Sequence, residues 1–227
     1  MSTFDAQATL AAPLGVRAWR DAGTPSGSTD PTPGPSASRR LRVVGVSGSL
    51  QAPSRTTALI GAILDAVAER VPAETELVEV AALGPGFSGA LRRADVATEV
   101  EAALQAIESA DLLVVASPVY RASFTGLFKH LFDFVGQYGL VGTPVLLGAT
   151  GGGERHALMI EHQLRPLFGF FQALTLPMGV YASDADFAGY ELVDPAVTRR
   201  VAQAVDRSLP LIAQAAHVGR SEDVRTW

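Results

Sequence analysis

The sequence predicts a doubly wound, three-layer α/β sandwich built on a five-stranded parallel sheet. Three observations carry that expectation. From Leu41 onward, short apolar runs alternate with longer stretches of helical periodicity, which is the pattern of βα units. Apolar residues make up 48% of the chain and charged residues only 18%, ample for a sizeable core and well away from a disordered composition. Segments rich in hydroxyls, proline and glycine fall directly after apolar runs, where such sheets bind their ligands.

In order, LRVVGVS (41–47) reads as the first buried strand. Thr56–Arg70 follows as a helix, with Leu59, Ile63, Leu64 and Val67 on one side and a stop near Pro72. Glu76–Val80 is a short strand, Val96–Ser109 a helix and DLLVVAS (111–117) a strand. Phe124–Val135 is a helix, TPVLLGAT (143–150) a strand and Glu154–Phe171 a helix. Leu174–Tyr181 is the fifth strand, and Pro195–Ala216 closes the chain with an apolar face that includes Val197, Val201, Val205 and Ile212. Five parallel strands with right-handed crossovers favour the flavodoxin-like order 2-1-3-4-5 over a six-stranded dinucleotide fold.

The domain spans 41–227, and residues 1–40 are expected to be a flexible N-terminal extension and linker. Residues 21–38 carry four prolines among Gly, Ser and Thr with no face to bury. Eighteen basic residues against 23 acidic ones give a net charge of −5, and Lys129 is the single lysine, so no basic stripe argues for nucleic acid. The absence of cysteine excludes disulfide scaffolds, thiolate nucleophiles and thiolate metal sites. His130, His156, His162 and His217 form no metal-binding spacing, since His156 and His162 lie six apart, off a common helix face. No metal is expected. No apolar run approaches the roughly 20 residues of a membrane span and no signal peptide is evident, so the expectation is a cytoplasmic protein.

Function is sought in the loops after strands one, three and four. The first, SGSLQAPSRT, brings Ser47, Ser49, Ser54, Arg55 and Thr56 to a helix start. There backbone amides and the positive end of the helix dipole favour an anionic phosphate, although Ser54 alone could serve as an N-cap. Near misses lower the competing motifs: Gly45 and Gly48 have no third glycine for GxGxxG, no GK[ST] occurs, and the GxSxG elbow fails at Ser49. The second loop sets Pro118, Val119, Tyr120 and Arg121 beyond a central strand, suited to a planar ring or, more simply, to an anchored surface turn. The third holds Gly151, Gly152 and Gly153, which permit close backbone approach to a ligand or a tight strand-to-helix turn. No serine, histidine and acid combine into a triad.

These residues also carry a resemblance. VSGSLQAPSRT, ADLLVVASPVYRASFTGLFKHLFD and TPVLLGATGGGERHALMIEHQLRPLFGFFQALTLPMGVYASDADF resemble, in order and spacing, the NAD(P)H-dependent FMN reductase family. Within it they are most similar to the reductase component of methanesulfonate and alkanesulfonate monooxygenase systems. The resemblance covers about 43–190. It implies FMN as flavin and NADH or NADPH as hydride donor, with a flavin-dependent monooxygenase receiving reduced FMN. It further implies that Ser49, Ser54, Arg55 and Thr56 hold the phosphate. Pro118, Val119, Tyr120 and Arg121 would lie against the isoalloxazine, and Gly151, Gly152 and Gly153 would approach its other edge. Hydride transfer between cofactors needs no catalytic side chain, and none is assigned. The alkanesulfonate-type enzymes carry an inserted Tyr in the helix after the glycine loop. This chain has His162 there, as the methanesulfonate-type members do, so the subunit-interface role of that Tyr is not carried over.

Self-association is expected, because Phe168, Phe170 and Phe171 cannot all enter one core from a single helix, and the resemblance implies a homodimer or homotetramer. Two other readings remain open on this fold: a quinone or azo-compound reductase with bound FMN, and a flavodoxin-type electron carrier.

Overall fold

The computed structural model describes residues 40–218; the expected extension over 1–40 lies outside the described residues, apart from Arg40. Strand β1 (Leu41–Ser47) leads through helix α1 (Arg55–Ala68) to β2 (Ala73–Glu79). A short helical turn, α2 (Pro85–Ser88), precedes α3 (Thr98–Ser109), β3 (Leu112–Pro118), α4 (Gly126–Phe134) and β4 (Pro144–Gly151). Then follow α5 (Arg165–Phe170), β5 (Leu174–Thr175), β6 (Val180–Ser183), β7 (Phe187–Ala188), β8 (Glu191–Leu192) and α6 (Pro195–Val218). The sheet order is β2-β1-β3-β4-β5, all pairs parallel, with β6 also alongside β4. The flavodoxin-like order expected from five βα units is therefore present.

Alternation along the strands divides the core in two. Val43, Leu112, Val114, Ala116 and Leu146 face α1 and α6, packing with Leu59, Ile60, Ile63, Val67 and Val205. Val44, Val46, Leu113, Val115, Val145 and Leu147 face the other layer, against Leu104 and Ile107 of α3, Phe128 and Phe132 of α4, and Phe168 of α5. A strand buried on both faces has no polar positions to spare, which is why residues 43–46 of β1, 112–116 of β3 and 145–149 of β4 read as apolar runs.

Three expectations are corrected. The edge strand β2 begins at Ala73 rather than Glu76, because one side of an edge strand is solvated and Glu74, Thr75 and Glu76 carry no apolar signal. The fifth strand is interrupted. β5 pairs Leu174 with Pro144 and Thr175 with Val145, and β6 resumes with Val180 opposite Gly148. Pro177 between them has no N–H to continue the ladder.

The single helix expected over Glu154–Phe171 is likewise broken. It consists of a 3₁₀ turn at Glu154–His156, a π-helical turn at Ile160–Leu164, and α5. Pro166 offers no amide to the His162 carbonyl and its ring crowds that turn, so the ladder widens locally. Beyond β6 the antiparallel β7–β8 hairpin pairs Phe187 with Leu192 and Ala188 with Glu191. Two-residue strands leave no periodicity to read.

Candidate functional site

The carboxyl ends of β1, β3 and β4 lie side by side, with Ser47 opposite Ala116 and Pro118 opposite Thr150. Their loops enclose a cleft of about 300 Å³. From the first loop and α1 it is lined by Ser49, Gln51, Pro53, Ser54, Arg55 and Thr56. Pro118, Val119, Tyr120, Thr150, Gly151 and Gly152 form the rest of the wall, with Asp184 and Tyr190 closing one side. All the residues expected at a flavin site thus line one cleft except Arg121 and Gly153.

At the first loop, Ser54 is the N-cap of α1: its backbone is extended and its Oγ accepts the amides of Thr56 at 3.1 Å and Thr57 at 3.4 Å. Capping uses the oxygen's lone pairs and leaves its O–H free to donate. The other hydroxyls shape the loop. Ser49 Oγ donates to the Gln51 carbonyl at 3.1 Å and accepts the Gln51 amide at 3.2 Å. Thr56 Oγ1 and Thr150 Oγ1 share a hydrogen at 2.6 Å, tying α1 to β4, and buried Ser47 meets Thr57 at 2.9 Å. The simple capping role and an anion-facing donor set coexist at Ser54. The Arg55 amide, first in the helix, has no acceptor among the described residues.

The second loop is held from beneath. Thr125 donates its hydroxyl to the Gly48 carbonyl at 2.7 Å and caps α4 by accepting the Phe128 amide at 3.3 Å. A side chain at Gly48 would put its Cβ 2.7 Å from the Phe128 ring, so glycine is needed where the first and second loops cross. Tyr120 and Ser123 exchange backbone hydrogen bonds of 2.8 and 3.0 Å around a two-residue turn. Both central residues, Arg121 (φ 51°) and Ala122 (φ 68°), are left-handed, the type I′ geometry that favours Asn and Gly. Non-glycine residues held so cost of order 1–3 kcal/mol each and recur at ligand clamps. Arg121 is exposed at the tip of this turn and is not among the lining residues, while Pro118, Val119 and Tyr120 line the cleft.

At the third loop, a Cβ on Gly151 would meet the Tyr181 hydroxyl at 2.7 Å, whereas Gly152 has open space around it. Tyr181 Oη donates to the Gly153 carbonyl at 2.6 Å, fixing the loop from β6. Burial, reinforced by the charge of Glu154, holds the Tyr181 phenol above the ordinary tyrosine range, so it stays a neutral donor at physiological pH. A phosphorylated, flat, amphipathic ligand suits this cleft. It has an anion-facing helix terminus at one end, an apolar wall of Pro118, Val119 and Tyr120, and an open backbone edge at Gly152.

Asp184 and Tyr190 were not anticipated. They come from the segment after β6, where Asp-Ala-Asp and Ala-Gly-Tyr read only as turn residues; their place at the cleft follows from the return of the chain over α1. His130, by contrast, serves packing: its ring lies 5.1 Å from Phe87 and 4.6 Å from Phe134. Among the described residues no group of three or more His, Asp or Glu side chains is arranged to hold a metal. No described helix is long and apolar enough to cross a membrane.

A family model described as NADPH-dependent FMN reductase matches residues 41–188. The NADH-dependent FMN reductase SfnF of Pseudomonas fluorescens (strain Pf0-1) is 52% identical over 174 residues, covering 77% of this chain and 93% of its own length. The FMN reductase (NADPH) of Pseudomonas aeruginosa is 49% identical over 182 residues, covering 80% and 95%. Among solved structures, an oxidoreductase from Corynebacterium diphtheriae superposes with a TM-score of 0.70 at 33% identity, over 77% of this chain and 98% of that one.

Proposed function

The chain belongs to the NADPH-dependent FMN reductase family, and from that premise we propose that its cleft binds FMN and NAD(P)H together and hands reduced FMN to a separate flavin-dependent monooxygenase. The observation that carries the site assignment is the convergence of three loops from β1, β3 and β4 on one cleft. When bound, FMN supplies the ring that accepts hydride from the nicotinamide. The protein's part is to hold and orient. The Ser54 hydroxyl and the Arg55 amide, at the positive end of α1, are the donors offered to the phosphate. Pro118, Val119 and Tyr120 offer one apolar wall, with Tyr120 half exposed, and Tyr190 lines the cleft from the segment after β6. Gly152 keeps backbone close to the ring edge. No side-chain acid or base is assigned.

A reductase serving a second enzyme requires flavin that exchanges rather than flavin that stays. A sulfonate-cleaving monooxygenase is the partner class favoured by the resemblance of the three motifs. Self-association accompanies this reading. Phe168 and Phe171 are buried while Phe170 is 62% exposed, and an exposed aromatic ring at the end of α5 suits a second copy of the chain.

The test is NAD(P)H oxidation with FMN, FAD, riboflavin and a quinone as acceptors. A rate with FMN well above that with the quinone is expected, from protein that loses its flavin on dialysis. A dominant quinone rate from protein that remains yellow would replace this reading with that of a quinone reductase or a permanent electron carrier.

A further inference from the structure

The cleft carries its own anion. Arg55 is the one cation among the residues that line it and Asp184 the one carboxylate, and the two are paired, Nη1 to Oδ1, at 3.0 Å. Arg55 is held a second time, its Nε donating to the Gly189 carbonyl at 3.0 Å. Gly189 sits in the β7–β8 turn at φ 64°.

The carboxylate is not on a loose loop. Ser183 caps the 3₁₀ turn Asp184–Asp186, with Asp186 Oδ2 accepting the Ser183 amide at 2.6 Å and its hydroxyl at 2.9 Å. The Asp186 carbonyl accepts the amides of Val193 and Asp194 at 3.0 and 3.1 Å. The lobe that carries Asp184 is therefore closed on itself at both ends, and the carboxylate is presented to the phosphate end of the cleft by a braced backbone.

We propose that Asp184 sets how weakly the site holds flavin: its carboxylate offsets the charge of Arg55, so that a phosphate dianion meets a site with no net positive side-chain charge. This inference rests on the assignment of the phosphate to the start of α1. A phosphate of charge about −2 gains from a free guanidinium and is repelled by a carboxylate bound to that same guanidinium. Pairing Arg55 with Asp184 therefore lowers affinity while keeping the guanidinium oriented, which suits a flavin that must leave after reduction. The remaining guanidinium N–H groups stay available to the phosphate, so the phosphate is still recognised. Riboflavin, having no phosphate, does not sense the pair.

The substitution Asp184→Asn isolates the charge, since its amide oxygen can still accept from Arg55. Full-length protein is titrated with FMN and with riboflavin, following flavin fluorescence. The Asn variant is expected to bind FMN about three- to tenfold more tightly, the range of a partly solvated charge interaction, and to release it correspondingly more slowly. Riboflavin affinity stays unchanged, and the gain shrinks at high salt. Asp184→Glu keeps the charge and is expected to remain near wild type. FMN affinity that is unchanged or weakened in the Asn variant overturns the proposal, as does a Glu variant that tightens as much as Asn. Wild-type protein that binds FMN no better than riboflavin would overturn the phosphate assignment itself and this inference with it. Preference for FMN in wild type without a sharper preference in the Asn variant would overturn this inference alone.

Discussion

Replacing Ser54 separates two roles that one hydroxyl performs. Its oxygen caps α1 through the Thr56 and Thr57 amides, and its O–H is the donor assigned to the flavin phosphate. Ser54→Ala removes both, and loss of a cap costs about 1 kcal/mol of stability, whereas Gly at an N-cap costs only a few tenths. For a domain of this size 1 kcal/mol is roughly 2–4 °C in Tm, so Ser54→Ala should melt measurably lower and Ser54→Gly nearly as wild type. A hydrogen bond to a charged group is worth about 1.5–3 kcal/mol, which corresponds to a loss of roughly 10- to 100-fold in FMN affinity. Both variants should show that loss, and neither should lose riboflavin affinity. Fluorescence titration of each flavin, with melting curves taken without flavin, gives the full comparison. Equal losses for FMN and riboflavin in the Gly variant, or an unaltered FMN affinity, would refute the placement of the phosphate at Ser54.

The other predictions concern the supports of the cleft and the rest of the surface. Gly151→Ala places a Cβ against the Tyr181 hydroxyl, 2.7 Å away, and is expected to raise KM for FMN several-fold; adding Tyr181→Phe, which removes that oxygen, should recover part of the loss, and a strictly additive double variant would count against the contact. Phe170→Asp should shift the protein to monomer in light scattering, and wild-type protein already monomeric at micromolar concentration would sink the proposed interface. Glu101 is held below the usual carboxylate range by the hydrogen-bonded Arg93 guanidinium. Its pairing therefore contributes stability above the unfolded glutamate value of about 4.3, and that contribution is lost as pH falls through the lowered folded value. Arg93→Ala should move the acid-unfolding midpoint, followed by circular dichroism, to higher pH, and an unmoved midpoint would show the pair to be inconsequential.

Much of the molecule was legible in its residues, for a physical reason that also marks where legibility ended. β1, β3 and β4 are buried on both faces, so Val43, Val44, Leu113, Val114, Leu146 and Leu147 had to be apolar whatever their partners. A helix such as α1 shows its buried stripe at Leu59, Ile63 and Val67 in any context. The cap at Ser54 is equally local, because it answers to backbone geometry within a few residues. Together with the strand count, these features determined the sheet order and directed attention to three loop ends.

What the sequence could not contain was whatever depends on residues meeting from far apart. In sequence Gly48 is only part of an incomplete nucleotide motif, whereas in the fold it is required by the Phe128 ring packed against it, and Gly151 by Tyr181, which arrives from another strand. Arg121 follows Tyr120 directly in sequence, yet it sits in a left-handed turn and is not among the residues that line the cleft. Asp184 and Tyr190 had no local signature at all. They reach the cleft only because β6 runs parallel to β4 and the chain after it folds back over the start of α1, bringing a carboxylate to Arg55 across well over a hundred residues. Charge pairing of that kind leaves no periodicity behind, since a single contact between the first residue of α1 and a 3₁₀ turn far along the chain repeats in neither segment, and only the tertiary structure decides it.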